Sequence, residues 1–119
     1  MDISKNYKFV NKIATTKYAD KINTIYDFDC NKLFGVPYKY LITSNDDILA
    51  CIEFKKDTGI GITEKDLLEI LKDRLSKKQD SPLKCKLNQQ ALMHINYALE
   101  AITEKEKIIT KEGKNNNNE

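Results

Sequence analysis

Residues 63–111 read TEKDLLEILKDRLSKKQDSPLKCKLNQQALMHINYALEAITEKEKIITK, and this stretch decides the fold. Thr63-Glu64-Lys65-Asp66 has the form of a helix start. The Thr63 hydroxyl can accept from an early free N–H, with Asp66 as its capping-box partner. Glu64 and Asp66 also suit the positive end of the helix dipole. The apolar set Leu67, Leu68, Ile70, Leu71 and Leu75 predicts a helix to about Lys78, ended by Gln79-Asp80-Ser81-Pro82. A second helix is predicted from about Lys84 to Lys111. Along it Leu92, Ile95, Leu99, Ile102 and Ile109 follow a heptad seam, with Glu106 interrupting and Ala91 and Ala98 beside it. Two helices with a short Pro-containing link make an αα-hairpin.

Before this stretch, residues 38–56 read as a β-hairpin. Tyr38–Thr43 leads into the turn cluster Ser44-Asn45-Asp46-Asp47, and Ile48–Phe54 returns. The period of two puts Ile48, Ala50, Ile52 and Phe54 on one face, and Leu49, Cys51 and Glu53 on the other. That pattern fits a sheet covered on one side. Further back, Tyr7–Val10 and Ile22–Tyr26 have the content of short strands, whereas Asp27–Lys32 reads as a turn. The fold class expected is therefore α+β: a small N-terminal antiparallel β-sheet followed by a C-terminal two-helix hairpin, oligomeric. Residues 1–113 form one domain, with the sheet in 1–57 and the helical hairpin in 63–111. Residues 114–119 read as a disordered tail.

Oligomerisation is expected from length. A helix of ~28 residues is ~42 Å long, and the first helix is about half that. The uncovered part of the seam calls for another copy, with a two-fold pair as the commonest unit.

Composition narrows the function. The chain has 119 residues, 40% apolar and 32% charged, with net charge +2. A folded core is expected. No apolar run approaches 18 residues, and MDISKNYKFVNKI has no signal-peptide core, so neither a membrane span nor secretion is expected. The lysines are interspersed with acids, which argues against a nucleic-acid polymer as partner.

The inventory for catalysis is thin. The only histidine is His94, read as a packing residue. Cys30, Cys51 and Cys85 lack metal-ligand spacing and read as free, packed thiols in a reducing cytosol. Gly59-Ile60-Gly61 is too short for a dinucleotide fingerprint. No enzyme activity, metal or cofactor is expected.

Several pieces in order carry a resemblance. They are Gly35-Val36-Pro37-Tyr38-Lys39-Tyr40, Phe54-Lys55, Gly61-Ile62-Thr63-Glu64-Lys65-Asp66-Leu67-Leu68, Asp73-Arg74-Leu75, Lys78-Gln79, Leu83–Asn88, Ala91-Leu92 and Ala98-Leu99. Over residues 35–112 the chain resembles the first family of Thoeris anti-defence proteins of phages, and the related anti-CBASS sponges. It departs from the family pattern in three ways. The loop between Phe54 and Gly61 is shorter by about five residues. Lys78 stands in place of an aromatic, and Lys105 in place of an arginine.

The resemblance implies a phage protein of the host cytosol that sequesters a cyclic nucleotide immune signal without cleaving it. The ligand would be a cyclic ADP-ribose isomer or a CBASS cyclic oligonucleotide. It also implies a homo-oligomer, a dimer at least, with a hexamer within its range. Carried onto this chain, it marks Asn88 and Lys105 as ligand residues. Side-chain chemistry adds Lys78 and Arg74 for phosphates, Gln79 for a base or ribose, and Phe54 or a tyrosine of the N-terminal sheet as a flat surface for adenine. Asn88 and Lys105 lie ~25 Å apart along one helix, so a shared pocket needs a second, antiparallel chain. Plainer roles stand beside these: Arg74 in an ion pair with Asp73 or Glu100, Lys78 and Lys105 as solvated surface, Asn88 as a cap of its own helix. The alternative function is an oligomeric helical module that binds a host protein.

Overall fold

A computed structural model describes residues 10–45, 47–56 and 59–117, with side chains of the last helix described to residue 110. The chain divides into two compact units, residues 1–62 and 63–119. The first is a four-stranded antiparallel sheet in the order β1-β2-β3-β4. Its strands are β1 (Asn11–Tyr18), β2 (Lys21–Cys30), β3 (Pro37–Ser44) and β4 (Asp47–Glu53). The second holds α1 (Glu64–Gln79) and α2 (Lys86–Asn117). The α+β class read from the sequence is the class observed. The expected strand at Tyr7–Val10 lies outside the described residues except for Val10.

β2 is longer than expected. Asp27–Lys32 reads as a turn, yet the strand runs through Cys30, because long-range partners hold its acids. The Asn11 amide donates to Asp27 at 3.3 Å. Asp29, at φ 56°, meets Lys56 at 3.0 Å and Lys39 at 3.7 Å. The Lys56 hydrogen bond holds the Asp29 carboxyl below its ordinary 3.8, and Asp29 in turn raises Lys56 above 10.5.

The sheet core also departs from the period-two reading. Tyr26 pairs with Leu41, and Leu41 with Cys51. Leu41 is fully buried and clusters with Phe28, Tyr26 and Val10. The deepest packing thus lies on the face read as mixed. On the other face Ile25, Ile42 and Ala50 form one row, and Phe54 meets Tyr40 edge-on at 5.6 Å. A register shift between Ile42 and Thr43 pairs Ile48 with Thr43. Ile48 therefore leaves the row of Ala50 and Ile52, since one residue of slip exchanges faces.

Turn chemistry explains the connections. Asn45 adopts φ 49°, the left-handed conformation that asparagine tolerates. Asn31 organises the β2–β3 loop: its Oδ1 accepts from Leu33 N and Phe34 N, and its Nδ2 donates to the Tyr38 hydroxyl. After β4, Phe54 bridges Ile62 in parallel.

In the second unit the Thr63–Asp66 capping box forms as expected. Asp66 N donates to Thr63 Oγ1 at 3.3 Å, and Thr63 N to the Asp66 carboxylate at 2.9 Å. α2 starts where Asn88 N donates to Cys85 Sγ at 3.4 Å. It ends at Asn117, beyond the expected 111 and inside the stretch read as a tail. Leu92 and Leu99 are buried, and Ile95 and Ile102 half-buried, as the heptad seam predicts. Lys65 meets Glu106 at 3.6 Å, and the Gln79 amide donates to Gln89 at 3.4 Å. These two ties fix an antiparallel register in which α2 runs on past the start of α1. Ile108 and Ile109 in that extension are exposed.

The three cysteines are free and exposed rather than packed. His94 is likewise exposed. The reasons are local: His94 falls outside the Leu92–Leu99 stripe of α2, and Cys85 stands just before that helix, where its Sγ accepts from Asn88 N.

Candidate functional site

The C-terminal half of α1 and the link to α2 form a groove of about 730 Å³. Helical spacing builds it. Ile70, Asp73, Arg74, Lys77 and Lys78 recur at intervals of three and four, so they share one outward face of α1. Ser81 and Leu83 close the end, because Pro82 stops the helix and the link folds back. The Ser81 hydroxyl donates to Lys78 O at 2.6 Å and accepts from Leu83 N at 3.1 Å, which holds the link in place.

The charges in this groove are unequally occupied. Lys77 is paired with Asp73 at 2.9 Å, and the Glu69 carboxylate also lines the groove, so three cations stand there against two acids. Arg74 and Lys78 have no ion pair or side-chain hydrogen bond among the described residues. They stand one helical turn apart, beside the exposed apolar side chains Ile70 and Leu83. A guanidinium and an ammonium so placed can each take phosphate oxygens, the first as a fork and the second as a point charge. The apolar side chains supply a surface for a flat or hydrophobic group.

Of the six residues singled out from sequence, Arg74 and Lys78 are brought together here. Gln79 and Asn88 lie at the hairpin turn and are occupied by it. Gln79 Oε1 accepts from Cys85 N at 2.9 Å, its Nε2 donates to Gln89, and the Asn88 amide donates to Leu83 O at 3.5 Å. Both side chains tie the link's backbone at the groove's end; Asn88 does not cap its own helix, since its amide donates to a carbonyl and the acceptor at the start of α2 is Cys85 Sγ. Lys105 is exposed far along α2, and within one chain its distance from Asn88 remains ~25 Å. Phe54 belongs to the sheet unit, where it packs against Tyr40. The sequence reading missed Glu69, Ile70, Asp73, Lys77, Ser81 and Leu83 as lining residues. The signal for Ile70 and Lys77 was available, since both share a helical face with Arg74.

Among the described residues no group of His, Cys, Asp and Glu could hold a metal ion. No described helix is long and apolar enough to cross a membrane. No protein-family model matches the chain, and no curated protein matches it.

Proposed function

We propose that this protein binds and sequesters a small cyclic nucleotide, leaving it intact. The observation that carries the reading is the pair of unpartnered cations, Arg74 and Lys78, beside Ile70 and Leu83 at the hairpin turn. The sequence resemblance to Thoeris and CBASS anti-defence sponges names the ligand class: a cyclic ADP-ribose isomer or a cyclic oligonucleotide. In this reading the protein acts in the cytosol of the bacterial host and needs no cofactor. Capture requires only recognition, in keeping with a chain poor in catalytic groups. The exposed apolar side chains outside the groove, Leu71 on α1 and Ile108 and Ile109 on α2, support assembly of at least two copies. In such an assembly Lys105 of a second, antiparallel chain comes beside Asn88 and completes the pocket.

Isothermal titration against cyclic ADP-ribose isomers and cyclic oligonucleotides tests this. Arg74→Ala and Lys78→Ala should each weaken capture about tenfold or more, the loss of a charge-assisted bond. Lys105→Ala should weaken it without changing the oligomer. Heat denaturation should release the ligand unaltered. Silence from every nucleotide would end the reading. A second reading, docking to a host protein, is favoured by one feature: the exposed Leu33, Phe34 and Val36 on the Asn31-ordered loop. Co-purification of a host protein that Phe34→Ser abolishes would support that alternative.

A further inference from the structure

A second groove, of about 400 Å³, lies between the two helices. Gln89, Met93 and Asn96 line it from one stripe of α2, Gln90 and Tyr97 from the next, and Ser76 from α1. Its chemistry differs from the rest of the surface. Charged residues are 32% of the chain. Of the eight residues lining this groove, only Glu100 is charged. Residues 87–99 of α2 hold no charged side chain, and three of their four amides, Gln89, Gln90 and Asn96, gather on this groove.

The amides retain hydrogen-bonding capacity. Gln90 and Asn96 have no partner among the described residues, and Gln89 uses only its oxygen, accepting from Gln79. Each amide offers an acceptor and two donors side by side. That pairing complements an adjacent acceptor and donor on a nucleobase edge, such as N7 and N6 of adenine, and a two-ring purine offers more area for stacking than a pyrimidine. Tyr97 is 59% exposed, which leaves its ring open for stacking. The His94 ring lies next to it, with ring centroids 6.5 Å apart and planes tilted by 60°. Met93, also exposed, adds a polarisable wall that adapts to a flat ring. The Glu100 carboxylate is an acceptor for ribose hydroxyls.

We infer that this groove is an adenine nucleoside site, with Tyr97 as the stacking surface and Gln90 and Asn96 reading the base edge. Rather than resting on the cations of the first groove, the site deepens the sequestering reading by naming the part of a ligand that carries no charge. Ser76 faces this groove while its neighbour Lys77 lines the cationic one, so the two sites flank the same stretch of α1.

The test is a titration of the full chain with adenosine, uridine and inorganic phosphate, followed by amide-resolved nuclear magnetic resonance. Adenosine should shift the side-chain amide signals of Gln90 and Asn96, and uridine, with less ring to stack, should shift them much less at the same concentration. Phosphate should shift the signals around Arg74 and Lys78 instead. Tyr97→Leu should weaken adenosine binding about tenfold, while Tyr97→Phe keeps it. Arg74→Ala should not alter it. Millimolar adenosine that moves neither amide would overturn the proposal, as would equal shifts from uridine or wild-type affinity in Tyr97→Leu. If adenosine binds here but no cyclic nucleotide is captured, sequestration fails and the groove stands. If a cyclic nucleotide is captured with these amides unmoved, the groove fails and sequestration stands.

Discussion

Replacing Gly61 by alanine should destabilise the sheet unit, against the usual direction of such a change. Gly61 lies where the chain returns from its loop to bridge Phe54 and Ile62. A Cβ built there falls 2.5 Å from Lys55 N, and 2.7 Å from Lys55 Cα and the Phe54 carbonyl carbon. All three are backbone atoms, so no rotamer change relieves the contact, and the bridge must open. Two bonds hold it: Lys55 N to Ile62 O at 2.9 Å, and Ile62 N to Glu53 O at 2.9 Å. At ~1 kcal/mol net for each bond, their loss costs ~2 kcal/mol. Gly61 is not in the left-handed region, so alanine also restricts the unfolded chain, a gain of ~0.4–1 kcal/mol. The balance is a destabilisation of about 1–1.5 kcal/mol. Gly59 provides the control. Its added Cβ would meet only Lys56 Cβ at 3.8 Å, an ordinary contact, so Gly59→Ala should be neutral or stabilising. Urea unfolding followed by tyrosine fluorescence suits the measurement, because Tyr18, Tyr26, Tyr38 and Tyr40 all lie in strands and tryptophan is absent. Hydrogen exchange should show lost protection at the Lys55 and Ile62 amides. A Gly61→Ala variant as stable as wild type, with both amides still protected, would refute the steric argument.

Three further outcomes follow from single positions. Ala19, in the β1–β2 turn, holds φ 56°, a conformation that disfavours a Cβ; Ala19→Gly should raise stability by up to ~1 kcal/mol in the same urea assay. Thr63→Ala removes the acceptor for Asp66 N and should cost the helical unit ~1 kcal/mol, read as a lower thermal midpoint by far-ultraviolet dichroism. Asp29→Asn should flatten the pH dependence of stability at both extremes. The wild-type carboxyl titrates below 3.8 when folded, so its contribution is present above that value and lost as pH falls through the depressed one. Lys56 titrates above 10.5 when folded, so its contribution is present below that value and lost as pH rises through the raised one. Equal slopes for wild type and variant across both windows would remove the Asp29–Lys56 pair as the cause, and added salt should weaken the effect because the pair is exposed.

The parts legible in the sequence are those whose determinants are local. Thr63 and Asp66 lie within one turn, and their box forms as read. The Leu92–Leu99 seam and the Asn45 turn likewise depend on neighbours a few residues away. The register of the sheet does not. Asp29 stays within β2 because Lys39 and Lys56, distant in sequence, neutralise it, and nothing between Asp27 and Lys32 announces those partners. The bulge that moves Ile48 to the row of Thr43 is equally a property of two strands together. At the candidate site the same division holds. Arg74 and Lys78 are one turn apart, and their meeting in one groove follows from spacing alone. The occupations of Gln79 and Asn88 depend on where the Ser81–Cys85 link places its backbone groups.

The helical unit itself bears on assembly. No residue of α1 is buried, and in α2 only Leu92 and Leu99 are, among the described side chains. A helix of this length gains most of its stability from packing an apolar face, since propensity alone leaves short helices marginal in water. Here the register is tied at its ends by polar contacts, Lys65 with Glu106 and Gln79 with Gln89, each between partly exposed side chains. Such contacts position a hairpin but contribute little net free energy. The apolar groups left over outside the groove, Leu71 on α1 and Ile108 and Ile109 on α2, represent unrealised burial. If a second copy covers them, folding and association are coupled, and the thermal midpoint of the helical unit rises with protein concentration. A midpoint independent of concentration would show that the capped, polar-tied hairpin is stable without a partner, and the ligand groove at its turn would then have to work within one chain.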